Sequence, residues 1–380
     1  MKKKYIIFSI VTLVLLVALI TSFNYFKTTN TYIDDSFNNQ TKITKGISMN
    51  LEQTAGAGDY KTVTRSSWPT EGYKFNAELS RCENGSTLSW DDTKKAVIVS
   101  GNLSDKCYVY FDLARFDETC DGSTLACRIA KQYTGTQGEN SLYYHNSTLT
   151  NGAGDNSYRY AGASASVNNY ICLGSDATTC PDANLFRIIG VFGDQTKVIR
   201  AKSVGDKEWD TNDSNTWSTS SLNTYLNGEY LTSLGTLADK IATTTWKVGG
   251  GSTTYLYDVP KTAYQYEVGS SASTTTYDAK IGLMYVSDYG FAADQSGWTT
   301  KLSSYNSNKS KNWLNTGRYI EWTLSRNSDN TSNAFGVNST GYVDNYNVTK
   351  SYVVRPSFNL ESSVKYVSGS GSMSDPVRVN

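Results

Sequence analysis

Histidine, charge and proline are what this sequence has least of. Its 380 residues include one histidine, His145, and five prolines, and charged residues make up 18% of the chain, against roughly 25% in an ordinary soluble domain. A single histidine removes most zinc chemistry and any relay built on several imidazoles. Lys and Arg number 35 and Asp and Glu number 35, so there is no excess of positive charge for a nucleic-acid partner. Familiar catalytic motifs are missing as well. No G-x-S-x-G elbow, G-x-x-x-x-G-K-[ST] loop or C-x-x-C pair is present, which leaves the α/β-hydrolase, P-loop and redox-dithiol readings without support. Polar and aromatic residues fill the chain instead, with Gly 30, Tyr 28 and Trp 8 alongside many Ser, Thr and Asn. Few charges and many aromatics reverse the signature of disorder, because enough apolar surface exists to offset chain entropy. The balance is that of a Tyr-rich extracellular β protein, long enough for two or three domains.

The one long apolar run is N-terminal. Lys2, Lys3 and Lys4 precede an uncharged stretch from Tyr5 to Phe26, followed by Lys27. As a helix of about 22 residues it would span roughly 33 Å, enough for a bilayer core. Ala18-Leu19-Ile20 matches a signal-peptidase site poorly, so an uncleaved anchor is favoured over a cleaved signal. The lysine asymmetry puts the N-terminus in the cytoplasm, with the lipid bilayer as the partner of residues 5–26. Cysteine usage agrees with an exported chain. Cys82, Cys107, Cys120, Cys127, Cys172 and Cys180 fall in three local couples without metal-ligand spacing. Disulfides are therefore expected over metal, with nearest-neighbour pairing the simplest of the possible connectivities.

Along the chain, residues 1–27 read as cytoplasmic tip and anchor, 28–46 as a polar stalk, and 47–113 as a small all-β sandwich. Residues 114–130 read as a disulfide-bearing connector and 131–380 as a larger α+β domain. The sandwich reading rests on short runs bounded by turn residues, such as Thr87–Trp90, Ala96–Val99 and Cys107–Phe111. Trp90 lies between Cys82 and Cys107, as in immunoglobulin-like sandwiches whose disulfide pins two sheets. In the larger region, Leu185–Phe192 and Lys197–Arg200 flank a Gly193-Asp194 turn as a hairpin. Helical spacing predicts a helix over Ser218–Leu226, continuing through Leu231, Leu234, Leu237 and Ile241. Strands are predicted at Ile281–Val286, Glu321–Leu324, Asn333–Val337, Gly341–Val343 and Tyr352–Leu360.

Three of these segments stand together as a pattern. They are Leu185–Phe192, Trp217–Asn227, and a closing run containing Glu321-Trp322-Thr323-Leu324 and Val354-Arg355-Pro356-Ser357-Phe358. Over about Leu185–Asn380 the pattern resembles a functionally uncharacterised module of surface proteins from Gram-positive bacteria. The closing run is also similar to the formylglycine-generating-enzyme branch of the C-type-lectin fold. That resemblance implies a lectin-like domain in which Glu321, Trp322, Arg355 and Pro356 are structural, with Arg355 buried and paired with a carboxylate such as Glu321. It carries over no activity. The copper-dependent enzymes need a late cysteine pair, and no cysteine follows Cys180.

Other chemistry finds little footing. His145 sits in a polar stretch and reads as solvated. Asp206, Asp210, Asn212 and Asp213 lack the Gly and Glu of a Ca²⁺ loop and read as a solvated turn. No catalytic residue, metal or cofactor is indicated. Trp209, Trp298 and Trp313 lie in loop-like context and are the candidates for stacking on a ligand. The expectation is therefore a membrane-anchored surface protein whose C-terminal domain is a non-catalytic module for adhesion, binding a glycan or protein. The alternatives are an enzyme acting on cell-wall or host glycans and a structural subunit of a surface layer or fibre.

Overall fold

The structure, a computed structural model, describes residues 31–32, 46–64, 67–69, 72–102, 105–317 and 319–380. The chain divides into two compact units, Met1–Arg115 and Phe116–Asn380. The expected membrane helix over Tyr5–Phe26 lies outside the described residues. No helix among those described is long and apolar enough to cross a membrane.

The first unit is all β, but it is not the immunoglobulin-like sandwich that the sequence suggests. Its main sheet places Ile47–Glu52 between Tyr60–Val63 and Cys107–Leu113, and the pairing of Ile47–Glu52 with Cys107–Leu113 is parallel. Tyr73–Phe75 and Arg81–Cys82 add antiparallel to Cys107–Leu113. A separate sheet pairs Ala96–Ser100 with Thr87–Asp91 on one side and Thr31–Tyr32 on the other. Cys82 and Cys107 are direct cross-strand partners with Cα atoms 4.0 Å apart. Their disulfide therefore clasps neighbouring strands of one sheet and does not bridge two. Alternation in Cys107–Leu113 turns Cys107, Val109 and Phe111 inward, where Trp68, Trp90 and Phe75 surround Phe111 at 5.6–5.9 Å.

The second unit is also mainly β, which corrects the α+β lectin-like expectation. An eight-stranded sheet runs in the order Ser357–Leu360, Gln195–Arg200, Leu185–Phe192, Tyr170–Cys172, Val377–Val379, Tyr366–Ser368. Tyr158–Tyr160 and Leu142–Tyr144 branch from the Leu185–Phe192 strand. A five-stranded sheet orders Asp206–Glu208, Ser351–Val353, Glu321–Arg326, Asn333–Val337 and Val343–Asn347, and a hairpin joins Thr244–Lys247 to Thr276–Ala279. Leu185–Phe192 is buried along nearly its whole length, as an internal strand covered on both faces must be. At its bulge, a Cβ on Gly190 would stand 2.2 Å from the Tyr158 carbonyl, so only glycine lets the branching strand approach.

Helices in this unit are short. The helical stretch expected over 218–241 is present: Ser221–Tyr225 runs through a π turn at Leu226–Tyr230 into Leu231–Ser233 with helical backbone at each junction, and a 3-10 turn follows at Gly235–Lys240. Gly228 lies within the π turn, where its weak helix propensity suits a local widening of the helix. The strand expected at Ile281–Val286 is instead the approach to a helix, Val286–Phe291. Asp288 fixes its start by accepting the Tyr285 amide at Oδ2, 2.9 Å away.

Candidate functional site

The three tryptophans expected to stack on a ligand are core residues. Trp209, Trp298 and Trp313 are 0%, 0% and 2% exposed. Their indole N–H groups donate to the carbonyls of Thr323, Ala293 and Tyr160 at 3.1, 2.9 and 2.8 Å. Buried indoles need such acceptors, and none of the three offers a free ring face. Trp313 instead stacks beneath the Arg187 guanidinium at 4.6 Å. Arg355 Nε donates to Glu321 Oε1 at 2.7 Å and Nη2 to the Leu314 carbonyl, with both side chains buried. The Trp322 indole donates to the Lys207 carbonyl, and Pro356 accepts the Arg200 amide at its carbonyl. Three disulfides, Cys82–Cys107, Cys120–Cys127 and Cys172–Cys180, form by nearest-neighbour pairing, consistent with an extracellular protein. Asp210 is buried and caps a local turn, accepting the Ser221 and Ser214 amides. Among the described residues no group of three or more His, Cys, Asp or Glu is placed to hold a metal.

A groove of about 620 Å³ opens between the Leu125–Ala130 helix and the C-terminal hairpin. Thr124 caps the helix by accepting the Cys127 amide, and the Cys120–Cys127 disulfide ties its first turn. Leu125, Ala126 and Ile129 face the core, which leaves Arg128 and Lys131 exposed. The hairpin, Tyr366–Ser368 with Val377–Val379, joins the main sheet through a parallel pairing with Tyr170–Cys172. Its loop is pressed against Asn168: Gly371, at φ +81°, would carry a Cβ 2.5 Å from the Asn168 carbonyl. The polar lining includes Arg128, Lys131, Gln132, Asn140, Asn168 and Ser370, beside the Tyr366 ring. Arg128 lies 5.2 Å over the Tyr366 ring. Gln132 is held in place by the Tyr160 hydroxyl, which donates to its Oε1 at 2.9 Å. No Asp or Glu lines this groove. It can therefore offer amide and hydroxyl hydrogen bonds, one half-buried aromatic ring and two cations, with nothing acidic to transfer protons.

A second groove, of about 720 Å³, lies on the other side of the hairpin, beside the loop closed by Cys172–Cys180. Arg378 holds that loop by donating to the carbonyls of Ser175, Ala177 and Thr178. Asp176, Asp375 and Lys240 give this groove mixed charge.

Neither groove reaches the most unusual feature of the unit, a buried centre of opposite charges. Asp288 receives Lys197 Nζ on Oδ2 at 2.5 Å and Arg159 Nη1 on Oδ1 at 3.4 Å; Arg159 also pairs with Asp155 at 2.6 Å. Beside it, Glu267 accepts the Val286 and Ser287 amides at 2.9 Å each, and the Ser325 hydroxyl. His145, read as solvated from sequence, is fully buried against Phe291 and Trp298. Its Nδ1 accepts the Ala153 amide, which places the proton on Nε2.

Burial, seconded by Arg159, pulls the His145 pKa down to about 3. Burial pushes Glu267 up to about 7 against the opposing hydrogen bonds from Ser287 and Val286. For Asp155 burial works upward, but Arg159 and His145 overcome it and hold the pKa at about 2. Burial also lowers Lys197, although Asp288 opposes the shift. Apart from Asp155–Arg159, four residues apart, none of these pairings is readable from local sequence. The only trace is a charged residue within an apolar run, such as Lys197 in Gln195–Arg200.

A family model described as a domain of unknown function (DUF6273) matches residues 193–362. No curated protein and no solved structure gives a match. The resemblance drawn over Leu185–Asn380 thus narrows to that domain. Neither the likeness to a Gram-positive surface module nor that to formylglycine-generating enzymes receives a match.

Proposed function

We propose that this is a bacterial surface protein, held at the membrane by residues 5–26, whose larger unit is a non-catalytic module that binds a glycan. The carrying observation is the groove between the Leu125–Ala130 helix and the C-terminal hairpin, with amides and hydroxyls from Gln132, Asn140, Asn168 and Ser370 beside the Tyr366 ring. Sugars are bound by such combinations, because hydroxyls exchange hydrogen bonds with planar side-chain groups while a C–H face packs on an aromatic ring. Arg128 and Lys131, without an opposing carboxylate in the lining, suit neutral or acidic sugars over basic ligands. The same lack supports binding over glycoside hydrolysis, which in most families uses two carboxyl groups flanking the bond. The apolar N-terminal run and the three disulfides support the placement outside the membrane.

The test is a glycan array probed with the detergent-solubilised full chain and with a Tyr366→Ala/Arg128→Ala variant. Binding to a neutral or acidic glycan, weakened at least about tenfold in the variant, is expected. An array with no bound glycan, or a variant that binds as the parent does, would overturn the reading.

A further inference from the structure

The Lys197–Asp288 contact differs from an ordinary buried ion pair in what encloses it. The two side chains are 6% and 2% exposed. Lys197 Nζ sits 4.6 Å from the Tyr285 ring centroid, 5.4 Å from that of Trp246 and 5.6 Å from that of Phe192. Asp288 is fixed from two further directions. The Tyr285 amide donates to Oδ2 at 2.9 Å, and Arg159 Nη1 approaches Oδ1 at 3.4 Å. A primary amine is therefore held against an immobilised carboxyl group in a water-poor, largely aromatic enclosure.

We propose that Lys197 and Asp288 join in a spontaneous intramolecular amide bond, making this pair a covalent self-modification site. Burial in the aromatic enclosure disfavours the ammonium form of Lys197, and its proton need only cross the short contact to Asp288 Oδ2. The Nζ lone pair then attacks Asp288 Cγ, with Arg159 placed to stabilise negative charge developing on Oδ1. The Cγ–Oδ2 bond breaks, and Oδ2 departs as water carrying two of the three ammonium protons. One proton stays on the amide nitrogen. The step is a balanced condensation that needs no oxidant, nucleotide or second reactant. Holding the groups in contact supplies the effective concentration that condensation lacks in water.

Two further features favour the reaction. Burial lowers the Lys197 pKa, which raises its amine fraction. Glu267 binds the first amides of the helix that carries Asp288, so a second carboxyl group sits on the same turn. The bond would tie the Gln195–Arg200 strand to the Val286–Phe291 helix across a sequence separation of 91. Such a staple closes a longer stretch of chain than any of the three disulfides.

Mass spectrometry of the full chain, purified with its three disulfides formed and then reduced and denatured, tests the inference. The expected result is an intact mass lower than the sequence mass by one water. Proteolysis should then release a branched peptide joining the Lys197 and Asp288 segments. Lys197→Arg and Asp288→Ala should restore the lost water and abolish the branched peptide. A wild-type chain at full sequence mass after prolonged incubation, with both peptides linear, would overturn the proposal. So would loss of water without the branched peptide, since that marks a different dehydration. The wild-type reading decides the matter even where a variant fails to fold.

Discussion

The smaller unit buries its acidic side chains chiefly against main chain, whereas the larger one, besides holding Asp210 and Glu267 on backbone amides, also buries whole ion pairs. In the first, Glu52 is 2% and Asp105 3% exposed, yet each is satisfied chiefly by main chain. Glu52 accepts the Gly58 and Leu113 amides at 2.8 and 2.9 Å, and Asp105 accepts those of Asn84 and Ser86. In the second, Asp288 and Glu321 meet Lys197, Arg159 and Arg355 in the interior. The difference follows size. A small core such as that around Phe111 has little depth to enclose a long cation, so its carboxylates staple turns. The larger core surrounds whole ion pairs and gains elements fixed relative to one another, at a desolvation cost that only a complete pairing offsets.

The sharpest way to break the comparison is to remove a cation from the larger core. Arg355→Ala leaves Glu321 without its arginine and should destabilise that unit by about 3–5 kcal/mol, read as a lowered denaturant midpoint. Replacing both partners, Arg355→Met with Glu321→Leu, should recover most of the loss, because the penalty comes from the stranded charge. If the double variant is as unstable as the single, the pairing account of this core fails.

The cross-links rank next. The Cys82–Cys107 loop has a sequence separation of 25, against 7 and 8 for the other two disulfides. Loop-closure entropy then gives about 3.5 kcal/mol for the first and about 2.4 kcal/mol for each of the others. Cys82→Ala/Cys107→Ala should therefore cost its unit more than either double alanine variant costs the larger one, by calorimetry. An equal loss in all three would remove the claim that the small unit leans on its clasp. Below this stands Glu52→Ala, which strips the partner from the Gly58 and Leu113 amides and should cost about 1.5–3 kcal/mol. Hydrogen exchange at those two amides should accelerate while the larger unit stays protected. Unchanged exchange would show that the carboxylate staples nothing.

How much of this was legible in sequence depended on the range of the interaction. The Leu185–Phe192 and Gln195–Arg200 hairpin announces itself through apolar runs about a Gly-Asp turn, and its hydrogen bonds are local. The disulfide partners are likewise neighbours in the chain. The Val286–Phe291 helix was hidden because Ile281–Val286 is an apolar run that suits a strand equally well, and the decision falls to the Asp288 cap. The burial of Trp209, Trp298 and Trp313 does not show in sequence, because polar neighbours say nothing about what closes over an indole from elsewhere. Each donates to a carbonyl, but for Trp209 and Trp313 that acceptor lies 114 and 153 residues away. In the buried charge centre Asp155 and Arg159 are four residues apart, but the contacts of Asp288 with Lys197 and Arg159 span 91 and 129 residues, so a lone Lys in a strand and a lone Asp after an apolar run are not joined by local sequence.

An effect that nearly vanishes in the parent probes the two titratable groups that the larger core holds away from their ordinary pKa values. Glu267 is raised from 4.5 to about 7, so the folded chain binds its proton more tightly than the unfolded chain does. Its contribution to stability is full below pH 4.5 and is lost as pH rises through 7. His145 is lowered from 6.5 to about 3, so its contribution is full above pH 6.5 and is lost as pH falls toward 3. Between pH 4.5 and 6.5 the two slopes, each about 1.4 kcal/mol per pH unit, have opposite signs and cancel. The parent should therefore show little pH dependence from this pair in that window. Glu267→Gln should uncover the histidine limb, with stability rising toward pH 6.5, and His145→Gln should uncover the falling glutamate limb. Denaturant midpoints measured at half-unit steps distinguish the two. Parallel profiles for parent and both variants would mean that neither group is buried in its shifted state. The larger unit would then treat its interior charges no differently from the turn-stapling carboxylates of the smaller one.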